Sequence, residues 1–87
     1  MYYVYVLVNE VGETYTGFSS DLTRRMAEHL RGDGYTCRKG RWRPCYYEAF
    51  ASEDDARNRE RALKKSSQSR RWLRKRIAHS MKLCRKS

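Results

Sequence analysis

The apolar positions of this chain change period several times, and each change marks an element. Residues 2–8, Tyr2-Tyr3-Val4-Tyr5-Val6-Leu7-Val8, are all β-branched, aromatic or Leu, which predicts a strand covered on both faces. Asn9-Glu10-Val11-Gly12-Glu13 is a polar connection with a glycine available for positive φ, and Thr14 to Phe18 predicts the returning strand. Side chains alternate across a strand, so Tyr5 and Tyr15 share a face only if the turn sets a matching register. Ser19-Ser20-Asp21 then offers N-cap oxygens to a helix from about Asp21 to Arg31, with Gly32-Asp33-Gly34 to stop it. Leu22, Met26 and Leu30 recur every four residues as one apolar stripe. Arg25 and His29, each one position before a stripe residue, point together along its flank.

Residues 32–40 form a Gly-rich basic connection containing Tyr35, Thr36, Arg38 and Lys39, which reads equally as a solvated loop or as one that meets phosphate. Trp42 to Phe50 predicts a third strand, with Pro44 tolerable near its start or on an edge. Ser52-Glu53-Asp54-Asp55 has the form of a capping box and opens a second helix to about Lys65. Apolar positions on that helix are sparse: Ala56, Ala62 and Leu63. Glu60 falls four after Ala56 and three before Leu63, on the inward stripe. A carboxylate there needs a cation, either an arginine or a metal ion. One carboxylate with waters and a substrate phosphate is a usual Mg²⁺ arrangement. From Ser66 a third helix is expected to run to about Leu83, with Leu73, Ile77, Met81 and Cys84 or Ser80 as its seam. Trp72 is open to stacking on a base, but a single tryptophan so close to the seam is more often core.

Charge narrows the choice of partner. Lys and Arg total 20 against 10 Asp and Glu, a formal charge of +10 on 87 residues. A polyanion is the natural partner, with simple solubility and a membrane surface as the other readings. The aromatic share of 13%, seven of the residues being tyrosine, moves the balance toward nucleic acid, because one modest core needs few phenols. There is no apolar run near 18 residues and no basic start leading into an apolar stretch, so neither a membrane span nor a secretory signal is expected. The expected setting is intracellular, cytoplasmic or nucleoid-associated if the source is bacterial. Cys37, Cys45 and Cys84 are odd in number and widely spaced, which argues against a disulfide framework and against a C-x-x-C zinc site. His29 and His79 lie near no cysteine in sequence, so a His/Cys metal site is not expected.

Tyr3-Val4-Tyr5, Tyr15-Thr16-Gly17, the Asp21-Leu22-Thr23-Arg24-Arg25 helix start with His29 four beyond it, Trp42-Arg43-Pro44-Cys45-Tyr46-Tyr47-Glu48 and Arg59-Glu60-Arg61-Ala62-Leu63-Lys64-Lys65 occur in that order. Each is short. Together, over roughly residues 2 to 77, they resemble the GIY-YIG nuclease family, in its small single-domain bacterial branch. The resemblance implies an α/β (α+β) fold, a three-stranded antiparallel sheet flanked by helices in the order β-β-α-β-α-α. It implies a single domain over 1–87, with a basic C-terminal helix from about residue 67. It also implies metal-dependent cleavage of DNA phosphodiesters, with Mg²⁺ or Mn²⁺. Carried over by position, the motif tyrosines fall on Tyr5 and Tyr15, the motif glycine on Gly17 and the helix arginine on Arg25. The position one turn later is His29, and the metal-ligating glutamate is Glu60. Tyr3 stands where the family name has Gly, and Thr16 where Ile is usual; neither supplies a reacting group. Larger members carry a late amide residue, and Gln68 is the only amide after Glu60.

The implied chemistry suits these residue types. Phosphodiester hydrolysis needs a deprotonated water, charge neutralisation at phosphorus and relief of the leaving 3′ oxygen. A phenol with an ordinary pKa of ~10 is a poor base, so Tyr5 is expected to need a cation such as Arg25 or the metal to favour phenolate. Tyr5, Tyr15 and His29 all remain candidates for the base. Arg24, Arg38, Lys39, Arg70, Arg71, Arg74 and Lys75 are the candidate DNA contacts. Duplex, branched or nicked DNA is the expected partner, with a second protein as the other source of specificity, since phosphate contacts position without choosing a sequence. The rival function is a basic DNA-binding module of the same fold with little or partner-dependent catalysis.

Overall fold

The computed structural model describes residues 1–31 and 42–86, with side chains through Arg85. The expected helix stop at Gly32-Asp33-Gly34, the basic positions Arg38 and Lys39, and Cys37 lie outside the described residues. The elements are β1 (Tyr2–Asn9), β2 (Thr14–Ser19), α1 (Leu22–Leu30), β3 (Trp42–Phe50), α2 (Glu53–Lys65), α3 (Ser67–Arg76) and α4 (Ala78–Lys86). β1 is the middle strand of an antiparallel sheet of order β2-β1-β3. Its unbroken apolar run follows from that position: Val4 through Val8 are each 1–2% exposed because both faces are covered. Val4 and Val6 face Ala56, Leu63, Leu73 and Ile77, which form the core between the sheet and the helices α2 and α3.

The β1–β2 register is fixed by its turn. The Asn9 side chain accepts from the backbone N–H of Val11 (3.2 Å) and of Glu13 (2.8 Å) and donates to Glu13 Oε1 (2.7 Å), while Gly12 takes φ +88°. Tyr5 is thereby placed opposite Gly17, and Leu7 opposite Tyr15. Since Tyr5 and Leu7 share a face, Tyr5 and Tyr15 do too. On the other side of β1, the pairing shifts between Val6 and Leu7, where Tyr46 and then Pro44 are the partners and Cys45 is the extra residue.

Local capping explains the helix starts. Asp21 accepts from Arg24 N (3.1 Å), Ser52 from Asp55 N (3.3 Å) and Ser66 from Ser69 N (3.1 Å). Ser66 both ends α2 and begins α3. Three expectations need correction. The third helix is two helices: Ile77 leaves the helical region (φ −113°, ψ 23°), giving the order β-β-α-β-α-α-α. The apolar seam nevertheless continues through the joint, with Leu73 and Ile77 buried and Met81 half-buried, because periodicity reports which side is apolar and not whether the axis is straight. Trp72 is 68% exposed and outside the core, one helical step of about 100° from Leu73. Leu30 is 74% exposed, and α1 has no fully buried residue. Of its apolar residues only Leu22 and Met26 are partly covered, so polar contacts to the sheet help to place α1.

Candidate active site

Those polar contacts converge on Tyr5. Its phenol oxygen accepts from Arg25 Nε at 3.2 Å and lies 3.1 Å from His29 Nε2. Arg25 can only donate, and with His29 carrying its proton on Nδ1 the phenol's own hydrogen is free to go to Nε2. Tyr15 completes the group through its ring, 6.5 Å from that of Tyr5 and 5.7 Å edge-on to His29. Trp42 meets the far side of Tyr15 edge-on at 6.4 Å. Spacing of four on α1, and alternation on a hairpin whose register the turn fixes, bring Tyr5, Tyr15, Arg25 and His29 onto one face.

Gly17 serves by its lack of a side chain. It does not take a positive φ, yet a Cβ there would collide with the Tyr5 ring and hydroxyl, which lie directly over it. The tyrosine reaches α1 only because this position across the ladder is empty of side chain.

The electrostatics differ from a cation-activated phenolate. Burial raises the Tyr5 pKa above 10.0 and outweighs the opposing hydrogen bond from Arg25, so the phenol holds its proton. Burial, then Arg25, lowers the His29 pKa below 6.5 and keeps the imidazole neutral near pH 7. Arg25 is in turn held by Glu28, whose carboxylate lies 2.6 Å from its Nη1 and is pulled below the ordinary carboxylate pKa chiefly by that contact. Glu28 was not singled out from sequence; the (i, i+3) spacing to Arg25 and (i, i+4) spacing to Arg24 are the signal for it.

Glu60 approaches this cluster from α2, with its own ion pair to Lys64. Ala56 and Leu63 point α2 into the core, and Glu60 stands to one side of them, with its side chain 19% exposed and Lys64 Nζ at 2.9 Å. The salt bridge expected from the inward stripe therefore forms with a lysine one turn on. Arg57, on the same flank, lies 4.2 Å over the Phe18 ring of β2, which places that flank over the β2 edge. Glu60 is near enough to Tyr5 for its charge to add, weakly, to the raising of the phenol pKa. On the opposite flank Arg59 grips Glu48 of β3 with three contacts of 3.0–3.1 Å, and Glu48 also accepts from Tyr46 at 2.8 Å.

The candidate DNA contacts divide by what already holds them. Arg24 pairs with Glu28, Arg70 donates to the carbonyls of Leu63 (3.2 Å) and Lys64 (2.6 Å), and Arg74 donates to Thr14 Oγ1 at 3.2 Å. Arg71 and Lys75 are exposed.

Residues 1–75 match the family model described as the GIY-YIG catalytic domain. The chain belongs to the GIY-YIG family. The chain is 38% identical over 71 residues to a UPF0213 protein of Halobacterium salinarum, spanning 79% of this chain and 92% of that one. It is likewise 38% identical over 71 residues to a UPF0213 protein of Lacticaseibacillus paracasei, spanning 79% and 80%. The solution structure of a UPF0213 protein from Bacillus halodurans superimposes with a TM-score of 0.53 at 34% identity, covering 84% of this chain and 82% of that one. GIY-YIG domains form a family of nucleases that generally use divalent metal ions, and membership implies DNA binding. No helix among the described residues is long and apolar enough to cross a membrane.

The donor set can be tested against such an ion. Among the described residues no three His, Cys, Asp or Glu side chains converge as a metal cage. A lone, half-buried carboxylate at Glu60 suits Mg²⁺ or Mn²⁺, which keep most of their waters and take further oxygens from a phosphate. It does not suit zinc, which wants nitrogen or sulfur ligands on most sides.

Proposed function

We propose that this GIY-YIG domain is a metal-dependent DNA endonuclease that hydrolyses phosphodiester bonds with a single ion held by Glu60, acting on structured DNA in repair, recombination or processing. The observation that carries it is the Tyr5 phenol bonded to both Arg25 and His29. Such a phenol is poised to exchange protons. The attacking water gives its proton to the Tyr5 oxygen as the Tyr5 hydrogen passes to Nε2 of neutral His29, so phenolate never has to accumulate at a buried oxygen. Tyr15 holds the His29 ring edge-on and keeps Nε2 aimed at the phenol. Arg25, fixed by Glu28, offers its remaining N–H groups to a non-bridging phosphate oxygen, where a preformed donor favours the charge that builds in the transition state. Mg²⁺ or Mn²⁺ at Glu60 would supply charge neutralisation and relief of the leaving 3′ oxygen.

A second reading, a DNA-binding module whose catalysis is weak or depends on a partner protein, is favoured by the Glu60–Lys64 pair, which engages the carboxylate. A nicking assay on supercoiled and branched DNA with Mg²⁺, Mn²⁺ or EDTA separates the two. The enzyme reading expects cleavage that EDTA and Glu60→Gln both abolish, with DNA affinity nearly unchanged in the variant. Cleavage by Glu60→Gln at the wild-type rate removes Glu60 from the mechanism. Tight binding without cleavage under every metal condition leaves the module.

A further inference from the structure

We infer that the notch between α2 and α3 is a binding site for one unpaired nucleotide of the DNA substrate, with Trp72 as its stacking surface; this rests on the DNA reading of the site above. The notch has a volume of about 290 Å³ and is lined by Arg59, Gln68, Ser69 and Trp72. Its floor is rigid: Arg59 is clamped to Glu48 by three contacts of 3.0–3.1 Å, so its guanidinium plane stays in place. Its wall is an indole left 68% exposed on one of the most cationic helices of the chain. Gln68 provides both a donor and an acceptor of the kind that meets a base edge, and Ser69 a hydroxyl. The surroundings select the occupant. Arg71, Lys75 and Arg76 flank Trp72 on α3, so a phosphate-linked ligand is attracted and a basic protein surface repelled. An aromatic face beside cations that follow a backbone is how single strands are held without sequence choice.

Pairing status decides access. Inside a duplex both faces of each base are already stacked, so Trp72 can engage only a nucleotide outside the stack. Arg59 and Glu60 are consecutive on α2 and lie on opposite flanks of the Ala56–Leu63 stripe. A strand with its scissile phosphate near Glu60 therefore crosses α2 to place an unpaired base in the notch. That makes tailed, flapped or frayed DNA the preferred substrate over blunt duplex.

The test is binding of the full chain to two duplexes of equal length, one blunt and one with a single-stranded tail, followed by anisotropy and by indole emission. Trp72→Ala should weaken binding to the tailed duplex about tenfold, within the range of one lost base–aromatic stack, and leave the blunt duplex unchanged. Trp72→Phe should restore most of the loss. Wild-type emission should be quenched by tailed DNA only, and Trp72→Phe, which retains Trp42, should show no such quenching. Trp72 is outside the core, so thermal melts of both variants should match the wild type. Equal loss on both DNAs, no loss on either, or quenching by an acidic peptide in place of tailed DNA overturns the notch and leaves the nuclease reading standing. A wild type that binds neither duplex overturns the nucleic-acid reading and the notch with it.

Discussion

The sheet face beneath α1 and the outer surface of α3 both gather polar side chains, and they hold them by opposite means. Around Tyr5, 1% exposed, each group is fixed by one or two directed contacts: Arg25 and His29 to the phenol, Glu28 to Arg25, Gly17 by the space it leaves. On α3 and α4, cations follow one another with no acid after Glu60 in the chain, several of them exposed. A site built from single directed contacts fails when one is removed. A surface built from repeated charges weakens by steps. Only the first arrangement has the geometric definition that bond cleavage requires; the second has the tolerance that backbone binding requires.

The contrast is sharpest at Arg25. Arg25→Ala should lower single-turnover cleavage of saturating DNA by roughly 10²-fold or more, the scale of one lost transition-state donor. A change confined to KM would move Arg25 to the binding surface and break the distinction.

A smaller, graded effect is expected with pH. Because the His29 pKa is lowered below 6.5, Nε2 is unprotonated above that value and becomes protonated as pH falls. An imidazolium cannot accept the Tyr5 hydrogen, so cleavage should decline on the acid side, approaching about tenfold per pH unit once below the lowered pKa. The fold's preference for neutral His29 is likewise fully present above 6.5 and lost as pH drops through the folded value, so folded fraction must be followed in parallel. His29→Gln should lose the acid limb along with rate; an unaltered limb would assign it to another group.

The smallest effect belongs to the basic surface. Replacing Arg71 and Lys75 together by glutamine should flatten the log–log salt dependence of duplex binding by about 1.8 units, two phosphate contacts' worth, weakening all sequences alike. Cleavage of already bound DNA should survive. An unchanged slope would make this face merely solvated and shift the contact to other cations.

Much of this is legible in the chain itself. β3 over Trp42–Phe50 and α2 over Glu53–Lys65 follow from composition and capping, and the shared face of Tyr5 and Tyr15 follows from alternation once the turn is set. What was not legible depended on tertiary surroundings. The pull of Arg25 on the Tyr5 phenol can be named from sequence, but only the covering of the phenol shows that burial outweighs it and raises the pKa. The bend at Ile77 is invisible to a periodic seam that runs through it unbroken. Trp72 lies outward because the helix needs only Leu73 and Ile77 inward, and hydrophobicity without phase cannot tell them apart.

The turn at Asn9 also bears on the order of events in time. Its hydrogen bonds from Asn9 to Val11, Gly12 and Glu13 reach no more than four residues along the chain, so the β1–β2 hairpin has closing contacts within its own turn. Hairpins form in about 1–10 μs, whereas β3 must return from Trp42 across a long intervening segment before it can dock. Tyr5, Gly17 and Tyr15 are therefore expected to come into register early, while α1, which packs against β3, is expected to settle only once that strand has arrived. The part of the site with the shortest distance to search is the pair of strands that carries its tyrosines.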